Sequence, residues 1–468
     1  MKEEPLKKSA LLVATLAAFL TPFTGSAINL AIPSIGEQFN SNTVTLSWVV
    51  SSYLLASAAF LVPFGRAADL WGRKKVFTIG VTLHTLFSFL CIVAGSMKTI
   101  IIFRCLQGIG GAMIFGTGVA ILTSVYPPQE RGKVLGFNAA AVYTGLSLGP
   151  VLGGFLVHYL GWRSMFLFTA LLGLPIIFLA VFKLKGEWAE AKGEKFDLPG
   201  AFIYVFALIA LMYGLSSVAA IPWAKWLLLI GVLALILFFL QQFKAAYPLL
   251  NLKIFRSNKA FIYSNLAALI NYSATFAVGF LLSLYLQVVQ GFDPQQAGLI
   301  LLSQPVVMAL LSPLAGKLSD RIEPRIVASA GMLVTIIGLM VFYFIDQFSG
   351  LWAVMFNLSL LGAGFALFSS PNTNAVMGSI EKKFYGVASS TLGTMRLTGQ
   401  ALSMSIVTLL LAHYAGNAQL TAGSASLLLA SLKVTFLIFA VICFFGIFAS
   451  MARGKVRADS KAVKGKQL

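Results

Sequence analysis

Charged residues are scarce in this chain of 468 residues: they make up 10% of it, and only 15 residues are acidic, while 58% are apolar. A soluble domain carries about 25% charged residues, so this composition excludes an ordinary soluble protein. Cysteine and histidine are scarce as well. The three cysteines lie in apolar stretches without ligand-like spacing, which predicts neither disulfides nor a metal site. Three scattered histidines and no buried carboxylate pair give no catalytic constellation, so we expect neither an enzyme nor a cofactor.

Basic residues outnumber acidic ones by 34 to 15, which gives a net charge of +19. Single-stranded nucleic acid needs basic patches interleaved with aromatic residues, and the sequence has none, so we expect no nucleic-acid partner. The basic residues instead follow the ends of long apolar runs. All but six of them, 28 in number, fall on one side of an alternating series of crossings. Because Lys and Arg collect in cytoplasmic loops, both termini are predicted to be cytoplasmic.

Fourteen apolar runs have the length of a membrane crossing, which takes ~20 residues. They lie near residues 10–33, 47–68, 76–97, 100–125, 133–159, 163–183, 199–219, 226–243, 261–289, 297–316, 326–346, 350–374, 385–412 and 431–451. The first run has no clear cleavage site, which indicates an uncleaved helix. The prediction is an all-α protein with fourteen transmembrane helices, embedded in the bilayer of the cell (inner) membrane.

An internal repeat divides the chain. The sequence GRAAD at residues 65–69 recurs in similar form as GKLSD at residues 316–320, which is 251 residues later. The same offset of 251 residues separates the start of the first apolar run from that of the ninth. Weak parallel repeats are typical of transporters in which two helix bundles rock about a central site. We therefore predict a six-helix bundle at residues 1–183, a linker with helices seven and eight at 184–260, a second bundle at 261–451 and a basic tail at 452–468.

The sequence GRAADLWGRKK at residues 65–75 resembles the signature loop of the major facilitator superfamily. The resemblance implies two six-helix bundles and a loop that latches them on the cytoplasmic side, with Asp69 capping a helix end or pairing with basic residues. The predicted latch residues are Gly65, Asp69, Gly72, Arg73 and Lys74, with Gly316, Asp320 and Arg321 in the second copy. The alternative is a solvated basic loop that only sets the orientation.

Two further segments carry the resemblance. The sequence RCLQGIGGA at residues 104–112, with Arg104, Gln107 and Gly108, is similar to the superfamily's fourth-helix motif. An arginine inside a membrane costs ~2.5–3.5 kcal/mol and needs partners. The sequence GLSLGPVLGG at residues 145–154 is similar to a fifth-helix motif typical of antiporters. Its candidate residues, Gly145, Gly149, Pro150, Gly153 and Gly154, are expected to pack closely between the halves. Ordinary small-residue helix packing is the alternative.

Together with FDLPG at residues 196–200 and RLTGQA at residues 396–401, these motifs resemble the fourteen-helix drug:proton antiporter branch. The resemblance implies efflux of small molecules in exchange for protons. One position departs from it. The branch carries an Asp shortly before an Asn-x-Ala-x-Pro signature, but here Thr24 precedes the signature at residues 29–33. His84, the only histidine in the middle of a predicted helix, and Asp346 remain as proton-carrier candidates. A packing histidine, an interfacial carboxylate and uncoupled transport are the alternatives.

The same departure bears on the substrate. Cationic compounds need buried carboxylates to offset their charge, whereas the predicted cavity offers Arg104 and Arg396, the charges inside the predicted helices. We therefore expect neutral amphipathic or anionic substrates, unless both arginines only bond helix carbonyls. The substrate-cavity candidates are Thr24, Asn29, Asn138, Tyr143, Asn271, Tyr285, Asn357, Asn372 and Arg396.

The predicted function is secondary active transport of a small molecule by a monomer, with efflux of amphipathic compounds by proton antiport as the first choice. One alternative is transport of an anionic metabolite or lipid-like acid without coupling. Another is a transport-dead receptor or scaffold.

Overall fold

The computed structural model describes residues 3–219, 221–250, 258–380, 385–416 and 425–454, except for the side chains of residues 3, 128, 129, 131–133, 320, 385 and 386. Within these ranges the protein is helical and has no β-strand. The first eight helices are α1 (Glu3–Phe39), α2 (Thr43–Trp71), α3 (Arg73–Ile92), α4 (Met97–Val125), α5 (Pro128–Leu160), α6 (Arg163–Phe178, then a π-helical turn Leu179–Lys183), α7 (Leu198–Ser217) and α8 (Ala224–Lys244). The others are α9 (Lys259–Thr275), α10 (Val278–Leu284, then a π-helical turn Tyr285–Val289), α11 (Pro294–Leu301), α12 (Ser303–Arg321), α13 (Pro324–Tyr343), α14 (Leu351–Gly378), α15 (Tyr385–Tyr414) and α16 (Ala425–Ala452).

Fourteen segments of the described chain are long and apolar enough to cross a membrane, which confirms the predicted all-α multi-pass architecture. The ninth span, Lys259–Val289, contains α9, α10 and a π-helical turn, and the tenth, Pro294–Ser319, contains α11 and most of α12. The first helix is longer than predicted at both ends. Its polar flanks at residues 3–9 and 34–39 continue the helix, although an apolar run alone places the boundaries at 10 and 33.

Helices α1–α6 form a group that we call the first bundle, and α9–α16 form the second bundle. In the first, α1 packs on α5, α2 and α3 on α4, and α3 on α6. In the second, α9 packs on α15, α12 and α13 on α14, and α13 on α16. The packing partners therefore repeat between the bundles. Close approach depends on glycine: a Cβ on Gly108 of α4 would lie 2.3 Å from the carbonyl oxygen of Tyr53 of α2.

We call the face at which the residue 65–75 motif lies the motif face, and the other the distal face. The bundles contact one another through α2 with α15, α5 with α11 and α1 with α10. Near the distal face, Ser47 Oγ lies 2.9 Å from Thr408 Oγ1, and Ser283 Oγ donates to the carbonyl oxygen of Asn29 at 2.7 Å. The inserted α7 contacts both α2 and α15, so α7 and α8 lie against the seam between the bundles.

Candidate functional site

The motif predicted as a short loop is almost entirely helical. Residues 65–71 form the end of α2, α3 begins at Arg73, and only Gly72 separates the two helices. Gly72 has φ +115°, a conformation that favours glycine. Arg73 is nearly buried and donates from Nε and Nη2 to Asp69 Oδ1, at 3.0 and 2.8 Å. Asp69 thus pairs with a basic residue of the first bundle, and the latch between the two bundles stays a prediction.

The segment between α6 and α7, residues 184–197, lies against this motif, and we call it the strap. Glu190 Oε1 accepts a hydrogen bond from Arg73 Nη1 at 2.7 Å, and Glu194 pairs with Arg66. Glu187 accepts from the backbone N–H groups of Lys74 and Lys75, at 2.8 and 3.2 Å. Because those N–H groups belong to the first turn of α3, Glu187 satisfies donors that have no partner within the helix.

The second copy of the motif lies at the end of α12. A Cβ on Gly316 would lie 3.0 Å from Ser370 Oγ of α14, so the glycine permits close packing within the second bundle. Arg321 is exposed in the last turn of α12. The backbone of Asp320 is helical, but its side chain lies outside the described residues. The role of this copy therefore stays a prediction.

Arg104 is completely buried inside the first bundle, in contact with neutral groups. Its Nε donates to the carbonyl oxygen of Val49 at 3.0 Å, and its Nη1 donates to Gln107 Oε1 at 2.5 Å. Gln107 Nε2 in turn donates to Ser88 Oγ at 2.6 Å, and the guanidinium lies 4.4 Å from the centroid of the Tyr53 ring. The expectation that Arg104 shares a cavity with Arg396 is wrong, because α2, α3 and α4 enclose it.

The fifth-helix motif has two separate sets of contacts. Gly145, Gly149 and Gly153 face α1 within the first bundle, where a Cβ on Gly145 would lie 2.5 Å from the carbonyl oxygen of Phe19. Only the last glycine meets the second bundle: a Cβ on Gly154 would lie 2.4 Å from the carbonyl oxygen of Pro294. The expectation that the whole motif packs between the halves is therefore wrong for the first three of these glycines, because helical periodicity turns them toward α1.

A set of polar residues from both bundles lies at the seam, near the middle of the transmembrane helices. Tyr143 Oη of α5 lies 3.2 Å from Ser369 Oγ of α14. One turn further along α14, Thr373 Oγ1 accepts a hydrogen bond from Arg396 Nη2 of α15 at 2.8 Å. The guanidinium of Arg396 lies 5.6 Å from the centroid of the Tyr272 ring of α9. We call these five residues the central cluster.

The central cluster is a candidate binding site for a small molecule. It draws on both bundles, and it contains a cation, two phenol rings and two hydroxyl groups without a carboxylate. Tyr143, Thr373 and Arg396 are half-buried, and the Nε of Arg396 has no hydrogen-bond partner in the described structure. Phe365 packs edge-on against Tyr272 with ring centroids 5.4 Å apart, so an aromatic wall adjoins the cation.

The other cavity candidates are dispersed. Asn271 is buried on α9, one residue before Tyr272, and its amide has no partner in the described structure. Asn372 and Asn357 donate to the carbonyl oxygens of Ser264 and Gly338 inside the second bundle. The remaining candidates are placed as follows: Thr24 donates to its own helix, Asn29 meets α10, Asn138 lies on α5, and Tyr285 donates to the carbonyl oxygen of Asp346 near the distal face.

The two proton-carrier candidates lie in different surroundings. His84 is fully buried on α3, edge-on to the Tyr53 ring, and neither ring nitrogen has a hydrogen-bond partner in the described structure. Asp346 is exposed near the distal face, where its Oδ1 accepts from the N–H of Phe348 and from Ser349 Oγ. It borders a cavity of about 300 Å³. Neither position lies in the central cluster.

The comparison with protein families decides the membership of the chain. The model of the Major Facilitator Superfamily matches residues 14–265 and 264–468, which is nearly the whole chain. The chain belongs to the major facilitator superfamily. This result confirms the resemblance of the motifs, and it places the chain in a superfamily of transporters.

Several curated members of the superfamily are similar over most of their length. The riboflavin transporter RibZ of Clostridioides difficile is 27% identical over 444 residues, which cover 94% of this chain and 96% of that protein. The multidrug resistance protein Stp of Mycobacterium tuberculosis is 30% identical over 86% of this chain and 76% of that protein. The tetracenomycin C resistance and export protein of Streptomyces glaucescens is 26% identical over 87% of this chain and 76% of that protein.

Solved structures support the same superfamily fold. A bacterial homologue of the human lysosomal transporter Spinster, in an inward-facing and unoccupied conformation, has a TM-score of 0.69 at 16% identity, covering 96% of this chain and 98% of that chain. A mutant form of the nucleoside transporter NupG has a TM-score of 0.63 at 15% identity, covering 96% of this chain and all of that chain. At these identities the likeness concerns the fold alone.

The sequence motifs do not include several residues that the structure places in contact with them or with Arg396. The strap places Glu187, Glu190 and Glu194 within eight residues of a chain that has few acids, and this clustering is visible in the sequence. The neighbours of Arg396 carry no such signal. Tyr272 and Thr373 are ordinary helix residues until α9, α14 and α15 pack together.

Proposed function

We propose that this superfamily member is a secondary active transporter that exports small amphipathic molecules by alternating access, in exchange for protons. The observation that carries the proposal is the central cluster, because alternating access needs a site to which both bundles contribute. Tyr143 comes from the first bundle, and the other four residues come from the second. Two of the relatives named above are export or resistance proteins, which favours efflux.

The chemistry of the cluster supports neutral or anionic substrates. A cationic compound in a low-dielectric site needs a carboxylate to offset its charge. The cluster instead offers the guanidinium of Arg396, whose five N–H donors suit carboxylate, sulfonate or carbonyl oxygens. Tyr272 and Phe365 provide an aromatic surface for the apolar part of an amphipathic molecule.

The proposed orientation follows from charge. In the topology predicted from the sequence, 28 of the 34 basic residues fall on the same side of the crossings as the residue 65–75 motif. We therefore propose that the motif face and both termini are cytoplasmic and that the protein lies in the cell (inner) membrane. The contacts of α5 with α11 and of α2 with α15 then close the extracellular side. Substrate binding and proton binding would shift the population between this state and an outward-open one.

Uptake or release of an anionic metabolite, without protons, is the second candidate function. The Nε of Arg396, which has no hydrogen-bond partner in the described structure, favours an anionic ligand. The curated relative named as a riboflavin transporter is similar along its whole length, so metabolite carriers occur among such relatives. The two candidate functions differ in whether transport is coupled to protons and in the direction in which the substrate moves. Both use the same central cluster.

The test is flux through purified protein in proteoliposomes that contain a pH-sensitive dye. Matched amphipathic compounds that differ only in a cationic, neutral or anionic headgroup are added one at a time, with empty liposomes as the control. We expect flux of neutral or anionic compounds with a simultaneous pH change. Flux without a pH change favours the uncoupled metabolite carrier. A pH change driven only by the cationic series overturns the substrate class, and binding without any flux overturns transport.

A further inference from the structure

The strap, residues 184–197, contacts the motif through three glutamates that have separate targets. Glu187 binds the N-terminus of α3, Glu190 binds Arg73, and Glu194 binds Arg66. Two backbone hydrogen bonds run alongside these contacts: Arg73 N–H donates to the carbonyl oxygen of Trp188 at 2.8 Å, and Ala191 N–H donates to that of Asp69 at 3.0 Å. The strap thus binds the motif by side chains and by backbone.

Aromatic packing fixes the end of the strap as well. Phe196 stacks on Trp71, the last residue of α2, with ring centroids 5.6 Å apart. The next residue, Asp197, accepts from the N–H of Gly200 at 2.9 Å and so caps α7. Since α7 contacts both bundles, the strap connects the motif to the helix that lies against the seam.

The strap occupies the basic groups through which the motif would act on the second bundle. Arg73 is only 8% exposed on its side chain, and Asp69, Glu190 and Ser124 of α4 surround its guanidinium. The strap thus holds an Nη1 donor of Arg73, and this donor becomes available to a partner across the seam only after the strap releases it. The contacts that join the bundles at the distal face are formed in the same structure.

We propose that the strap holds the motif on the first bundle and thereby stabilises the state that is closed at the distal face. Glu187, Glu190 and Glu194 act as positioning residues: they compete with the second bundle for Arg66, Arg73 and the N-terminus of α3. Closure of the motif face then requires the strap to give up these contacts. The linker between the halves is accordingly part of the conformational equilibrium and does more than connect them.

The test measures the distances between the bundles at both faces by double electron–electron resonance on the full chain. Spin labels replace the exposed Phe137 of α5 and Leu314 of α12 near the motif face, or Leu160 and Leu299 at the distal face, with the three native cysteines changed to alanine. The test variant is Glu190→Gln with Glu194→Gln. The control is Glu4→Gln, the same change in an exposed pair with Lys8 at the same face.

We expect the test variant to shorten the motif-face distance and lengthen the distal one. The ratio of the two populations should change by about threefold for each lost pair, whereas the control should leave it unchanged. A separate variant exchanges the charges of one pair, Arg66→Glu with Glu194→Arg. Because this variant keeps an ion pair at the same place, it should show the wild-type ratio of the two populations. This rescue separates a positioning role from a general loss of folding, and it applies even if the neutral variant is poorly folded.

The inference rests on alternating access, and the two can fail separately. Two populations with a ratio that none of the strap variants changes would overturn the role of the strap and leave alternation intact. A single distance in wild type and all variants would overturn alternation and the strap's role together. A shift of equal size in Glu4→Gln would show that surface charge alone is responsible, and this result also overturns the inference.

Discussion

Gly154 of α5 lies against Pro294 of α11 so closely that a Cβ on the glycine would be 2.4 Å from the proline's carbonyl oxygen. Real Cβ atoms essentially never approach backbone this closely, so the contact between the bundles requires glycine at this position. The reverse contact, Gly298 of α11 against the carbonyl oxygen of Pro150, is equally close at 2.2 Å. This pair of glycines permits the close approach of α5 and α11 at the distal face.

Gly154→Ala should weaken distal closure. The added methyl group must displace the backbone of α11, so we expect transport to slow at least about tenfold and the motif-face distance to shorten. The matched control is Gly136→Ala in the same helix, where an added Cβ meets nothing within 4 Å and alanine favours the helix by about 0.5–1 kcal/mol. Normal transport by Gly154→Ala would show that the glycine contact does not limit closure.

Asp69→Asn should slow transport without unfolding the protein. The substitution keeps the shape of the side chain but removes the charge that faces Arg73 at 2.8 Å, and Glu190 then remains as the one acidic partner of that guanidinium in the described structure. We expect the rate to fall at least about fivefold, with unchanged amounts of folded protein in the membrane. Glu130→Gln is the control, since Glu130 pairs with Lys7 at the same face and is half exposed. Equal effects of both variants would rule out a specific latch.

Arg396→Gln should change substrate selectivity. The substitution removes the cation of the central cluster but leaves a hydrogen-bond donor for Thr373. The flux of anionic compounds should therefore fall about tenfold or more, while the flux of neutral compounds should stay close to its wild-type value. Arg396→Lys keeps the positive charge but lacks the planar guanidinium, so its ratio of anionic to neutral flux should lie between those of the wild type and Arg396→Gln. The readout is the ratio of anionic to neutral flux in the same vesicles. If all three compound classes lose flux equally, Arg396 serves architecture and not selectivity.

Hydropathy was sufficient for the membrane architecture. Each span must satisfy its backbone hydrogen bonds internally, so a run of ~20 apolar residues is a helix almost regardless of its neighbours. The boundaries were less certain. The polar residues at 3–9 continue α1, and the segment around Phe276 and Ala277 interrupts the ninth span, because these features depend on capping and packing and not on apolar character.

The motifs located functional segments but not their partners. The motif at residues 65–75 resembles the superfamily's signature, and its repeat at residues 316–320 predicts two halves. The acidic strap that contacts Arg66 and Arg73 has no counterpart in the motif. Likewise, Gly145 and Gly154 belong to one sequence pattern, but they face different helices. A helix turns by about 100° per residue, so neighbours in a motif need not share a contact.

By itself the sequence determined the number of crossings, the family and the lack of an acid in the middle of the apolar runs. Each of these depends on composition or local pattern, because each membrane-spanning segment must satisfy its own backbone hydrogen bonds within the bilayer. Only the tertiary structure decided that Arg104 is enclosed by neutral groups while Arg396 lies at the seam beside Tyr143, Tyr272 and Thr373. The two arginines look alike along the chain, and their difference arises because packing brings each of them together with residues from other helices.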